Sequence, residues 1–234
     1  MNPSPDHIGI VACSAEGAAL CYRTICTEGA RHLGPHAHPE VSMHTHSLAH
    51  YVACIDRNDW RGVADLMLAS ANKLASIGAQ FLICPDNTIH KAFPYLHRSP
   101  LPWLHIAEVV AAQAVARGFH RIGVTGTAWT IDSEIYPEKL CAQGLGYVRP
   151  SAAERDEIHR IIMDELVCGI TKPEQVAYFR RVIGRLKDAG CDAVILGCTE
   201  IPLIMNDENS PLPTLDSTRL LAQAALQRAI RNTK

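Results

Sequence analysis

The sequence predicts an α/β protein built from two related halves, each on a mainly parallel sheet. Three observations carry this expectation. Apolar runs of strand length alternate with amphipathic stretches of helix length along the chain. The segment Leu74–Thr88 lays over Leu186–Glu200 without a gap, matching Leu74 with Leu186, Gly78 with Gly190 and Ile83 with Ile195. An Ile-Gly strand opening occurs twice, at Ile8-Gly9 and Ile122-Gly123. With 234 residues the chain has length for one large domain or two small ones, and for a sizeable core.

Taken in order, His7–Ala12 reads as the first buried strand. A small-residue turn, Cys13–Gly17, leads into a helix over about 18–28. Spaced glycines of a dinucleotide fingerprint are missing there, which argues against a nucleotide cofactor. Val41–His46 reads as a strand, and Asp56–Ile77 as a helix with Trp60, Val63, Met67, Ala71 and Leu74 on one face. Phe81–Cys84 is the next strand and Pro102–Ile106 a short strand with a domain crossover. Ala107–Arg117 is helical and stops at Gly118. The second half repeats the scheme: a strand at Arg121–Thr127, then a helix over about 129–141 with a turn near Pro137. Ser151 and Glu154 form a capping box for a helix reaching about Cys168. Pro173 opens a helix closed by Gly190. A strand Val194–Leu196, the segment Leu212–Asp216 and a last helix Ser217–Arg231 complete the chain.

Composition narrows the class. Hydrophobic residues make up 47% and charged residues 20%, as in ordinary soluble globules. A formal net charge of −2 argues against nucleic acid and against a polybasic membrane surface. The apolar runs are too short to span a bilayer. Met1–Asp6 lacks the basic and hydrophobic regions of a secretion signal, so a cytoplasmic location is expected. Nine scattered cysteines without a CxxC pair suggest neither a disulfide framework nor a four-thiolate zinc site.

Ligands of parallel sheets bind beyond the carboxyl ends of the strands. Ser14, Thr45, Asp86, Asn87, Thr125, Thr127, Cys198 and Thr199 all fall at such ends. Cys198 follows Gly197 and opens an expected helix, whose dipole and free N–H groups favour a thiolate. The internal repeat sets Asp86 opposite Cys198 and Cys84 opposite Leu196, so one half presents a carboxylate where the other presents a thiol. His36, His38, His44, His46 and His50 crowd one stretch, and His-x-His on a strand puts both rings on one face. No later cluster has ligand spacing to match, so no metal is expected.

Pro85-Asp86-Asn87-Thr88-Ile89-His90 and Leu196-Gly197-Cys198-Thr199-Glu200-Ile201-Pro202 together resemble the cofactor-independent aspartate/glutamate racemase family. The Ile-Gly-Ile opening, Gly123–Thr127, Ile158–Ile162 and Asp216-Ser217-Thr218 extend the likeness over most of the chain. The resemblance implies two doubly wound, pseudo-symmetric domains with an active site in the cleft between them. The expected boundaries are 1–103 plus 208–234 for the first domain and 104–207 for the second. It also implies an isomerase without a cofactor, a small-molecule substrate (an amino acid or related carboxylic acid), and room for a homodimer. Family members use two cysteines, one per face of the substrate α-carbon. Here Asp86 stands in place of the first. Ala12-Cys13-Ser14 replaces the usual glycine-rich turn, and Val167-Cys168 precede Gly169 where relatives acting on acidic amino acids often carry a basic residue.

The resemblance implies a chemistry for these residues, with acid–base groups on opposite faces of a carbanion-like intermediate. A Cys198 thiolate takes the α-proton on one face, while Asn87, Thr88, Thr199 and backbone N–H groups hold the substrate carboxylate. Asp86 either serves the other face or binds the ammonium group. The rival readings are a one-thiol carbon-acid enzyme (a decarboxylase or another isomerase), a metal hydrolase on the histidines, and a non-catalytic small-acid binder.

Overall fold

The computed structural model describes residues 4–231. Met1–Pro3 and Asn232–Lys234, which carry the start of the leader reading and the ends of the expected first domain, lie outside the described residues. The chain forms two compact units. One comprises residues up to Ile106 together with those from Thr218 onward; the other is Ala107–Ser217.

In the first unit β1 (Ile8–Ala12) runs parallel to β2 (Val41–Thr45) on one side and β3 (Phe81–Ile83) on the other. A short β4 (Trp103–Leu104) completes a sheet of order β2-β1-β3-β4. All five residues of β1 are buried, as expected of a central parallel strand covered on both faces. Ser14 caps α1 (Ala15–Leu33), its hydroxyl accepting the Gly17 N–H at 3.3 Å. α3 (Trp60–Ser76) is the helix that the sequence shows from Asp56, and α2 (Leu48–Asp56) is an addition in front of it. The chain breaks between them because Asn58 adopts a left-handed backbone (φ 55°) and Asp59 caps Gly62 N at 2.8 Å. Val63, Met67, Ala71 and Leu74 bury the expected face.

The second unit repeats this order. β5 (Arg121–Gly126), β6 (Gly146–Val148), β7 (Ala193–Gly197) and β8 (Thr214–Asp216) form a parallel sheet of order β6-β5-β7-β8. Residues matched by the sequence repeats therefore occupy equivalent strands: β1 with β5, and β3 with β7. The repeated glycines have a packing reason. A Cβ on Gly9 would lie 2.7 Å from Leu82 Cδ2, and one on Gly123 2.9 Å from Leu186 Cδ1.

α4 (Ile106–Ala116) precedes β5. α5 (Ala128–Ile131) and α6 (Ile135–Ala142) replace the single helix read over 129–141. The turn lies at 132–134, not at Pro137, which sits in the first turn of α6 where its missing N–H costs nothing. β6 is an addition to the sequence reading. α7 (Ala152–Arg160) carries the expected capping box, then widens into a π-helical turn, Ile161–Leu166. α8 (Pro173–Asp188) follows. Ile158, Ile162, Phe179, Val182, Ile183 and Leu186 pack on Val194 and Leu196, giving β7 a continuous apolar backing. Burying such aliphatic side chains contributes ~1.5–3 kcal/mol each. β8 pairs with β7 and so belongs to the second unit, and α9 (Ser217–Ala229) returns to the first. Among the described residues no helix is long and apolar enough to cross a membrane.

Candidate active site

The best-defined chemistry sits where β7 ends. Gly197 is required there: a Cβ would run into the Thr125 carbonyl oxygen and stand 3.4 Å from Tyr136 Cε2. Two hydroxyls anchor the strand's last carbonyls. Thr125 Oγ1 donates to Ile195 O at 2.6 Å, and Ser217 Oγ donates to Leu196 O at 2.9 Å. Tyr136 is fully buried, and burial, partly offset by its bond with Ser217, raises its phenol pKa far above the ordinary value.

Cys198 follows, half-buried, on this rigid end. The helix that the sequence suggests is absent. Cys198–Glu200 make a turn, and only a three-residue 3-10 segment, Ile201–Leu203, comes after it. So short a segment builds no useful macrodipole, and a stabilising helix end is not what the thiol meets. Its partner is a carboxylate: Cys198 Sγ donates to Glu200 Oε2 at 2.9 Å. Thr199 Oγ1 donates to the same oxygen at 2.6 Å. Glu200 is only 4% exposed. Thiol and hydroxyl thus converge on one buried carboxylate oxygen. Sequence reasoning assigned Glu200 no part in the chemistry; its place two residues after the thiol was visible, but its burial and direction were not.

In the first unit, Asp86 occupies the equivalent place after β3. It is half-buried between buried neighbours, and Oδ1 accepts the Ile89 N–H at 3.4 Å. Cys84 is fully buried. Burial pushes its thiol pKa well up, and the Asp86 carboxylate adds to this, against the Asp86 N–H that bonds to its sulfur. Asn87 and Thr88 are buried at the start of the 3-10 segment Thr88–Tyr95. Ser14 lies two residues beyond the end of the neighbouring strand β1, and its hydroxyl serves as the cap of α1.

The remaining predicted residues have local roles. Thr45 is exposed at the end of β2 and donates to the His46 carbonyl at 2.8 Å. Thr125 is fully buried in the β5–β7 bond already described. Thr127 caps α5, its Oγ1 accepting Thr130 N at 3.3 Å. Thr199 contacts Glu200. The structure therefore gathers Cys198 and Thr199 around Glu200 in one unit, and Asp86, Asn87 and Thr88 with Ser14 at adjoining strand ends in the other.

The histidine-rich stretch is engaged otherwise. His44 Nδ1 lies 2.9 Å from Ser70 Oγ and its Nε2 2.9 Å from Lys73 Nζ. Burial and the Lys73 cation hold His44 and His46 below the usual imidazole pKa. Among the described residues no three His, Cys, Asp or Glu side chains group to hold a metal ion.

Comparison with known proteins adds the decisive observation. The family described as Asp/Glu/hydantoin racemase matches residues 10–225, nearly the whole chain. The chain belongs to that family. It is similar to the broad specificity amino-acid racemase RacX of Bacillus subtilis, 24% identical over 164 residues, with 68% of this chain and 69% of that protein covered. A crystal structure of a candidate Asp/Glu racemase from Yersinia pestis superposes with a TM-score of 0.88 at 29% identity, covering 97% of this chain and all (100%) of the other. An aspartate racemase homologue from Pyrococcus horikoshii superposes with a TM-score of 0.82 at 25% identity, covering 96% and 99% of the two chains. Racemase-family membership and the two parallel-sheet α/β units agree with what the two sequence motifs imply.

Proposed function

We propose that this enzyme of the racemase family inverts the α-carbon of an amino acid with its own side chains, Cys198 serving one face and Asp86 the other. The observation that carries the reading is the Cys198–Glu200 pair. Its thiol stands at a strand end with a dedicated proton acceptor, which an inert buried cysteine does not need. In the forward direction the Cys198 proton passes to Glu200, giving thiolate and carboxylic acid. The thiolate then removes the substrate α-proton and becomes a thiol again. The electron pair left on carbon delocalises into the substrate carboxylate, for which Asn87, Thr88 and Thr199 are the proposed donors. Protonated Asp86 returns a proton to the opposite face and is left ionised. The proton on Glu200 and the ionised Asp86 are restored through solvent.

The repeat supports this division, because Asp86 and Cys198 end equivalent strands in two sheets of the same order. The test is proton NMR of candidate amino acids incubated with the protein in D₂O. Loss of the α-proton signal, absent with Cys198→Ala, is the expected result. An unaltered signal across neutral, acidic and apolar amino acids would sink the reading.

A further inference from the structure

His90 lies one turn beyond Asp86 and is 2% exposed. Its two ring nitrogens meet partners of opposite kind. Nδ1 is 2.7 Å from the Asp86 carbonyl oxygen, which can only accept. Nε2 is 3.2 Å from the Ile106 N–H, which can only donate. A single arrangement satisfies both: the proton on Nδ1 and the lone pair on Nε2. The ring is also clamped. Phe93 stacks on it at 4.4 Å with planes 13° apart, and His105 meets it edge-on at 4.7 Å. Burial and the neighbouring His105 drive its pKa well below the usual imidazole value, only partly opposed by the Asp86 carbonyl. The groups that face it are thus Asp86 and His105, and no cation is needed to keep it neutral.

The same contacts fix Asp86. Its carbonyl is held by His90, its N–H by the Cys84 sulfur, and its Oδ1 by Ile89 N–H. The peptide groups on both sides of its Cα are pinned while the side chain remains half-exposed.

We infer that His90, held as the Nδ1–H tautomer, is a positioning residue that aims Asp86, so that its loss impairs one face of the reaction and spares the other. The one-face consequence rests on the racemase reading above; the tautomer does not.

The experiment has two parts on the full-length protein. Nitrogen-15 NMR of the histidine side chains should show His90 as Nδ1–H, uncharged from pH 5 to 8. Enantiomer-resolved exchange in D₂O is then measured for wild type, His90→Asn and His90→Gln, each checked for folding by circular dichroism. Asparagine sets an amide donor near the Nδ1 position; glutamine reaches only the Nε2 position. His90→Gln should slow the Asp86-dependent enantiomer (the one whose exchange Asp86→Asn removes) by ~10-fold or more, as loss of a buried hydrogen bond predicts. The other enantiomer should change by less than about twofold, and His90→Asn should keep most of both rates. An Nε2–H tautomer, an imidazolium, or equal slowing of both enantiomers overturns the inference. Absence of exchange in the wild type overturns the racemase reading and the face assignment with it, while the tautomer spectrum still separates the two failures.

Discussion

Cys198 Sγ and Glu200 Oε2 stand 2.9 Å apart, and the carboxylate is far more buried than the thiol it receives. This relationship, rather than a helix end, supplies the local electrostatics of the proposed base. Glu200→Gln keeps an acceptor oxygen but cannot take up the proton. It should lower Cys198-dependent α-proton exchange by about 10²-fold or more, within the range for losing a general base, with little change in the melting temperature. Exchange in D₂O at matched substrate concentration is the measurement; near-wild-type rates would remove Glu200 from the reaction.

Asp86 should be separable from Cys198. Asp86→Asn is expected to stop racemisation while one enantiomer still exchanges its α-proton at Cys198. Asp86→Cys would set a thiol at each of the two equivalent strand ends and should retain or gain racemisation of some amino acid. Chiral chromatography together with enantiomer-resolved NMR decides this. Unchanged exchange of both enantiomers in Asp86→Asn would show that Asp86 transfers no proton.

Cys84 should behave as packing. Cys84→Ala removes a fully buried sulfur and should cost about 1 kcal/mol in stability. Its effect on exchange should stay far below that of Asp86→Asn. Denaturant unfolding and exchange rates measured on one sample set compare the two directly.

Gly197→Ala should be destabilising by about 1–3 kcal/mol, the usual range for overpacking. Its added methyl meets the Thr125 carbonyl, which is backbone and cannot swing aside. Because Cys198 is the next residue, activity should fall by more than the stability loss explains at a temperature where the variant is fully folded.

The turn after α7 carries a pH signature. Bonds from Arg160 and Gln175, with Lys172 nearby, hold Glu165 down from the ordinary 4.5 to about 2. A carboxyl with a lowered folded-state pKa stabilises the fold above its unfolded pKa, and that contribution disappears as pH falls through the folded one. The Glu165 contribution is therefore present above roughly pH 4.5 and fades toward pH 2. Solvent and salt screen this exposed network, so the effect is small. Glu165→Gln should flatten the wild-type stability loss over that interval, as followed by thermal melts from pH 5 to 2.

Much of this was legible in the sequence because the repeat is a positional argument. Matching Ile83 to Ile195 carries Asp86 onto Cys198 whatever the surrounding loops do, and the two sheets have the corresponding strand order. What escaped was set by partners distant in sequence or by weak local signals. β6 opens on Gly146 and is three residues long, with too few side chains to show a period. The break before α3 depends on one left-handed asparagine, and the break before α6 on a turn without glycine. At Cys198, local sequence suggested a helix N-terminus, whereas the buried Glu200 carboxylate folds back onto the thiol instead. His90 stands within a legible motif, but its tautomer follows only from the Ile106 N–H, sixteen residues away.

The first unit is discontinuous in the chain and the second is not. During synthesis, Ala107–Ser217 can finish folding as soon as it leaves the ribosome, whereas the earlier-made unit waits for α9. That helix supplies Gln223 to Glu28 at 3.1 Å, the Arg228 guanidinium over Phe81, and the Ala229 carbonyl to the Asp6 N–H at 2.9 Å. The later-made unit is thus positioned to reach its native state first. The same short bond brings the two described ends of the chain together. A circular permutant joined there and reopened between Ser217 and Thr218 would make the first unit a single uninterrupted stretch that is synthesised first, so that it no longer waits for the second.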